Sequence, residues 1–357
     1  MRKVLKKLLI ISNIIVVFIT LISLIVPYIN PLKFKFLYFT GLLFPVFIFL
    51  NIVFLIVWLM FLKRWVFLSL LVLIFAIPVI NRFYKVRIFV REPKHEGIKL
   101  MSYNVRMFNY YDWIQKSGIS DKIFKFLKEQ NPDLLCIQEF SPRFKKGEIN
   151  ILDSLKSVFY YHIIKYPTKY KNKVGLAIFS KYRILQSDFL EFENSANGIL
   201  TCDLLVGSEI LKIVNVHLQS TNLNKSDFYF LDNLFNNGNN IENIKNLTKR
   251  LKDAYIKRSF QVETLNKIIK NSNKNIIVCG DFNDTPVSYT YQQISNLLDD
   301  TFIKVGKGWG ITYIGRFPGF RIDYVFIGQK IEPLKYSISK IRLSDHYPII
   351  FNFKFKN

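Results

Sequence analysis

Three apolar runs at the start of the chain limit what it can become more than anything that follows. Leu8 to Ile29 and Phe36 to Leu62 are almost unbroken apolar residues, and Trp65 to Ile80 is a shorter third run. A helix needs about 20 residues to cross about 30 Å of hydrocarbon. The runs therefore predict an all-α transmembrane domain of three helices, with spans over about 8–29, 36–62 and 65–80 and a turn at Lys63-Arg64. Phe83 and Tyr84 are placed to act as an interfacial belt. No small-residue cleavage site follows the first run and further apolar runs do, which argues against a removed signal peptide.

Charge divides the chain at the same place. Residues 1–91 carry 12 Lys or Arg and no acidic residue; all 26 Asp and Glu lie from Glu92 onward beside 38 basic residues. Two domains are expected, 1–91 in the membrane and 92–357 outside it. Arg2, Lys3, Lys6 and Lys7 favour a cytoplasmic N-terminus, so three spans would leave the second domain extracytoplasmic, on a multi-pass protein of the cell (inner) membrane. Arg82, Lys85, Arg87, Arg91, Lys94 and Lys99 pull the other way, but long domains translocate largely regardless of charge. The basic surplus suits a phosphate-bearing partner or an anionic bilayer surface and does not separate them. Cys136, Cys202 and Cys279 lie in or beside apolar runs without zinc spacing, as buried thiols do.

From Gly97 the pattern changes to short apolar strands. Ile98 to Val105 alternates, residues 119–130 read as a helix stopped by Asn131-Pro132, and Asp133 to Glu139 is a second strand. Lys173 to Ser180, with Gly175 early in it, is a third. Ile199–Leu205 and Ile210–Leu218 form a pair joined by Gly207-Ser208. Residues 222–250, rich in Asn and Lys around Phe228-Tyr-Phe-Leu231, read as a surface insertion or a flap touching lipid. A helix over 251–270 leads into Asn275 to Pro286, where Ile276–Cys279 is a buried strand, Gly280 allows close backbone approach, and period two aims Asp281 and Asn283 the same way. Alternation sets Arg321, Asp323 and Val325 on one face of the next strand, and Asp345-His346 precedes a final one. Several strands thus end in a polar side chain, and such ends converge on one edge of a sheet or sandwich.

Ser102-Tyr-Asn-Val, Ile137-Gln-Glu, Asn215-Val-His-Leu, Gly280-Asp-Phe-Asn, Arg321-Ile-Asp-Tyr and Ser344-Asp-His resemble the successive motifs of the endonuclease/exonuclease/phosphatase (DNase I-like) superfamily, over about residues 97–355. The resemblance implies an α/β fold, a four-layer α/β/β/α sandwich, and phosphoester hydrolysis dependent on a divalent cation, magnesium with manganese as the alternative. It implies Glu139 as principal metal ligand with Asn104 and Asp345 beside it. Asp281 would orient or deprotonate the attacking water, and Asn283 and His217 would donate to phosphoryl oxygens. His346 would act at the phosphate with Asp323 fixing its tautomer, and Asn215 would support His217 or the phosphate. Whether His346 or Asp281 takes the proton stays open at this level.

Some members of that superfamily pair three spans with an extracytoplasmic catalytic domain, and the likeness to them implies a membrane-anchored bacterial type acting on a lipid phosphate or pyrophosphate. An anchor raises the local concentration of such a substrate. The partners are then the lipid bilayer and a phosphate-bearing substrate, with a lipid headgroup favoured over DNA. A membrane-anchored nuclease and a non-catalytic anionic-lipid-binding membrane protein are the alternatives. Tyr110, Tyr111, Trp113 and Arg143 could flank either substrate.

Overall fold

A computed structural model describes residues 2–34, 36–61, 63–87, 97–168, 173–193, 195, 197–221, 241–272, 275–315 and 319–356. In chain order the strands are β1 (Tyr84–Lys85), β2 (Ile98–Asn104), β3 (Leu134–Phe140), β4 (Tyr161–Lys165), β5 (Gly175–Ser180), β6 (Arg183–Glu191) and β7 (Gly198–Val206). They continue with β8 (Glu209–His217), β9 (Asn275–Asp281), β10 (Asp299–Asp300), β11 (Gly308–Trp309), β12 (Asp323–Ile327), β13 (Ile331–Ile338) and β14 (Ile349–Phe355). The helices are α1 (Arg2–Ile25), α2 (Tyr38–Leu42), α3 (Phe44–Met60), α4 (Val66–Ile80), α5 (Ile119–Gln130), α6 (Ile151–Lys156), α7 (Ile241–Lys270), α8 (Tyr289–Ser295) and α9 (Thr301–Val305).

Two six-stranded sheets are stacked face to face, in the orders β10-β12-β9-β8-β7-β6 and β13-β14-β2-β3-β5-β4. Leu100, Cys136 and Ile178 of one meet Cys202, Ile213, Cys279 and Val325 of the other in a buried apolar middle layer, where all three thiols lie free. Strand alternation turns the next residues outward. Met101, Leu135 and Phe179 pack under Ile123, Phe126 and Leu155 of α5 and α6. On the far side Val214, Val278 and Phe326 pack under Val262, Leu265 and Ile294 of α7 and α8. The order is therefore helix, sheet, sheet, helix.

Each sheet holds one parallel pair, β2 with β3 and β8 with β9. A parallel pair needs a long crossover, and α5 and α7 supply them. Parallel strands finish at the same edge, and the register then lines up the polar ends. Asn104 lies across from Gln138, His217 across from Asp281, and Asp281 across from Asp323 of antiparallel β12. Gly280 stands at φ 135°, where a Cβ would come within 2.0 Å of the Val216 carbonyl oxygen. Only glycine lets β8 and β9 close at that point.

Several expectations change in detail. The long helix begins at Ile241, not 251, so 241–250 belongs to it, while 222–240, with the apolar patch at 228–231, lies outside the described residues. Arg321, just before β12, pairs with Asp300. Gly175 opens β5 as the sequence placed it, and a Cβ there would meet the Lys165 carbonyl oxygen at 2.0 Å.

The helical segment differs most from the expected three spans over 8–29, 36–62 and 65–80. Lys3–Tyr28 is long and apolar enough to cross a membrane by length and composition. The second run breaks at Leu43 into α2 and the 17-residue α3, and the third gives the 15-residue α4. The bundle is built inside out. Asn13, Thr20, Ser23, Asn51 and Ser69 are fully buried between helices, whereas Phe18, Phe49, Ile56, Phe67, Ile74 and Phe75 face outward. Asn13 donates to Ser69 at 2.8 Å and accepts from Trp58 at 3.0 Å, and Asn51 donates to Thr20 at 2.8 Å. Phe83 and Tyr84, expected as an interfacial belt, make contacts within the protein. Phe83 stacks on Phe44, and Tyr84 lies in β1, paired with β11 of the α/β domain.

Candidate active site

The edge where the parallel strands finish collects nearly every predicted residue. Asp281 ends β9 and is buried, with its carboxylate at the centre. Asn104 Nδ2 donates to it at 3.0 Å and also to Glu139 at 3.3 Å. His217 Nε2 lies 3.7 Å from Asp281 and 3.9 Å from Glu139, and His346 Nε2 lies 3.8 Å from Asp281. His346 Nδ1 is 2.9 Å from Asp323, whose own amide donates to Thr312 Oγ1 at 3.0 Å. Glu139 reaches in because β3 bulges between Ile137 and Phe140 and leaves it at φ 52°.

Asn283 does not follow the strand's alternation, because the strand ends at Asp281. It sits at φ 52° in a turn in which its amide donates to Asp281 Oδ1 at 2.9 Å and its Nδ2 to the Leu218 carbonyl at 3.0 Å. One side-chain hydrogen remains for a ligand. Asn215 is placed differently from a phosphate contact. Its two amide hydrogens go to the Ile137 and Ala177 carbonyls, both at 3.0 Å, and its oxygen accepts from Gln138 at 2.7 Å. It ties the two sheets together beneath His217. Asp345 is held by Arg106 at 2.7 Å, and that guanidinium lies 4.3 Å over the Trp113 ring.

Burial and charge set the protonation. Burial, then the Asp323 charge, push Asp281 up to about 6 against the pull of both histidines. Burial opposes charge on His346, but Asp323 and Asp281 outweigh it and raise the imidazole to about 10. Burial lowers His217. Glu139 is raised by burial and by Asp345, although the 26% of its side chain left exposed blunts that effect. At neutral pH His346 is an imidazolium facing a carboxylate pair, and His217 is neutral.

A divalent cation fits this donor set. Carboxylates crowd one another, His217 Nε2 is buried without a hydrogen-bond partner between two of them, and the donors are mostly oxygen, which suits a hard ion. Asp281, Asp323 and His346 offer ligand atoms within 4.8 Å of one another. In that trio Asp323 and His346 already bond to each other, while Asp345 is held by Arg106 and Asn104 Oδ1 accepts from the Arg106 amide at 3.0 Å.

Sequence patterns missed the supports: Gln138, Thr312, Tyr313 and Arg106. Tyr313 packs edge-on to His346 at 5.1 Å, and burial with the Asp345 charge pushes its phenol up to about 12. Arg106 directly follows the Ser102–Val105 motif and could have been read from that adjacency. Thr312 and Tyr313 lie in an irregular loop with no period to mark them.

The paired sheets with this edge define a protein of the DNase I-like fold class. The chain belongs to the endonuclease/exonuclease/phosphatase family, whose model matches residues 101–346, from before Asn104 to His346 itself. Members are typically hydrolases acting on phosphoesters and generally depend on a divalent metal. A second model, a Domain of unknown function (DUF8431), matches residues 6–83. No curated relative matches the chain. Among solved structures, the human Nocturnin catalytic domain with bound sulfate anion is 15% identical, over 73% of this chain and 96% of its own, at a TM-score of 0.53. TDP2 of D. rerio, humanized by 14 mutations, is 15% identical over 73% and 100%, at 0.52. The endonuclease/exonuclease/phosphatase from Bacteroides vulgatus is 16% identical over 72% and 99%, also at 0.52. At such identities the likeness is one of fold.

Proposed function

We propose that this protein is a membrane-anchored, magnesium-dependent phosphoesterase that hydrolyses a phosphoester or pyrophosphate of a membrane lipid. The convergence of Asp281, His217, His346 and Glu139 on one edge, with His346 braced by Asp323 at 2.9 Å, carries the catalytic half of that reading. Asp281 orients the attacking water and takes its proton, since its carboxyl, raised to about 6, is a base near neutrality while His346, raised to about 10, is already charged. His346 and the spare hydrogen of Asn283 face the phosphoryl oxygens as charge develops, and His217 stands beside them on the same edge. Glu139, Asn104 and Asp345 would hold the cation, which supplies Lewis-acid stabilisation to the leaving oxygen.

The inside-out helical segment supports the membrane half. Large apolar side chains facing outward over most of α1, α3 and α4 need a lipid surround. We read α3 and α4 as further spans, short ones whose mismatch a bilayer accommodates, with the α/β domain outside the cell membrane.

The test is a substrate panel on the full chain with magnesium. Phosphate released from lipid pyrophosphates supports the proposal; nicking of plasmid DNA selects a nuclease instead. Silence on both, with liposomes still bound, leaves a non-catalytic lipid-binding protein. Asp281→Ala and His346→Ala should each cost at least about 100-fold in turnover with the fold retained by circular dichroism, His346→Ala melting lower because it leaves Asp323 without its buried partner; normal rates in either variant refute its assigned role.

A further inference from the structure

We propose that Arg82 is a positioning residue for the active site, through which the helical segment holds the Asp281–Asn283 turn in its working geometry. The role of that turn rests on the phosphoesterase reading; how the turn is held rests on contacts alone.

A cation leaving an apolar helix ordinarily extends toward the polar boundary of a bilayer. Arg82, just beyond α4, turns into the α/β domain instead. Its Nη1 donates to the Pro286 carbonyl at 3.1 Å, and its guanidinium lies 4.9 Å over the Tyr291 ring. Its own carbonyl accepts from Arg321 Nη1 at 3.0 Å. Arg321 is itself fixed, with bonds of 2.7 and 2.6 Å to Asp300 and its guanidinium 4.4 Å from the Phe302 ring and 4.7 Å from that of Tyr324. One residue thus grips the chain on both flanks of the site: Pro286 follows Asp281 in the same turn, and Arg321 precedes Asp323.

The neighbouring contacts make that grip stiff. Val287 packs among Phe44, Ala76 and Val79 of the helical segment, and a Cβ on Gly41 would meet the Val287 carbonyl at 2.4 Å. Gly310 donates to the Phe83 carbonyl at 2.8 Å. On the domain side Arg258 holds Asp284 at 3.1 Å, and Tyr324 donates to the Asp284 carbonyl at 2.8 Å. The turn from Asp281 is therefore fastened at Asp284 from within, and its far end, Pro286–Val287, is closed by the helices. Buried Phe282, Asp284 and Thr285 leave little slack between the two fastenings. A displacement at Pro286 reaches Asp281 and Asn283, and a misplacement of about 1 Å is enough to cost about 100-fold in rate.

The experiment uses the full chain in detergent, with p-nitrophenyl phosphate and magnesium as the turnover probe. Amide hydrogen exchange at Asn283 and Thr285 is a second readout that needs no turnover. Arg82→Gln should lower kcat about tenfold or more with KM nearly unchanged and speed exchange at both amides about tenfold. Arg82→Lys, which keeps a donor for Pro286, should recover part of both. Unchanged exchange in Arg82→Gln overturns the proposal, as does a loss confined to KM. If Arg82→Gln does not fold, Val287→Ala loosens the same seat, and its failure to speed exchange is equally fatal. A wild-type chain that leaves the probe intact counts against the phosphoesterase reading, and the exchange measurement still decides the role of Arg82.

Discussion

His346 shows how one neighbour can overturn the effect of burial. A buried imidazole ordinarily loses its proton, yet Asp323 at 2.9 Å and Asp281 at 3.8 Å hold this one charged up to about 10. Asp323→Asn should let the His346 titration fall from about 10 toward the ordinary imidazole range, followed by NMR on the metal-free chain. A titration that stays near 10 would show that Asp323 is not the cause. The sign for stability follows from the same shift. A folded-state value above the unfolded 6.5 stabilises the fold fully below about pH 6.5, and that contribution is lost as pH rises through about 10. Asp281, raised from 3.8 to about 6, works in the same direction and is lost as pH rises through about 6. Above about pH 6.5, where the lowered His217 is already neutral, the metal-free chain should therefore melt progressively lower up to about pH 10.

At the scale of elements, the parallel pairs β2–β3 and β8–β9 carry the site, and most of this was legible. The polar ends of short apolar strands, met in order, pointed to one edge, and the strands carrying Asn104, Glu139, His217 and Asp281 lie where the pattern put them. What could not be read came from the limits of period and adjacency. Alternation stops being informative where a strand stops, so Asn283 turned out to belong to a turn. The partner of Arg321 is Asp300, which lies before it in sequence beyond an irregular segment that no periodicity connects. Nor does an apolar run state where its helix breaks, as at Leu43. The Arg321–Asp300 pair also gives a stability prediction. Both side chains are almost wholly buried, and removing one partner leaves an uncompensated charge, so Asp300→Ala should destabilise the fold by about 3–5 kcal/mol in denaturant titration. A loss below about 1 kcal/mol would mean that the pair is dispensable.

For the whole molecule, the decisive contrast is between two kinds of interior. The α/β part keeps its apolar residues inside two sheets, whereas the helical part buries amides and hydroxyls beside apolar residues such as Phe44, Trp58 and Ala76 and turns many Phe and Ile side chains outward. The full chain should stay with membranes through an alkaline carbonate wash and come off only with detergent; release by carbonate would refute anchoring. A reporter fused at residue 95 should signal from outside the cell membrane, and a cytoplasmic signal would overturn that placement.

The pairing of His217 with Asp281 has a consequence for how such a chain can vary. Strand faces swap with every single-residue shift. Deleting one amino acid within β8 would put the apolar side chain of Leu218 where the imidazole was and aim the ring at α7. Deleting two would restore the polarity but draw the neighbouring hairpin short. Mutational drift in length is thus barred from this strand and must be absorbed in the connections, so a deletion scan across 209–217 should show activity vanishing at every single-codon step.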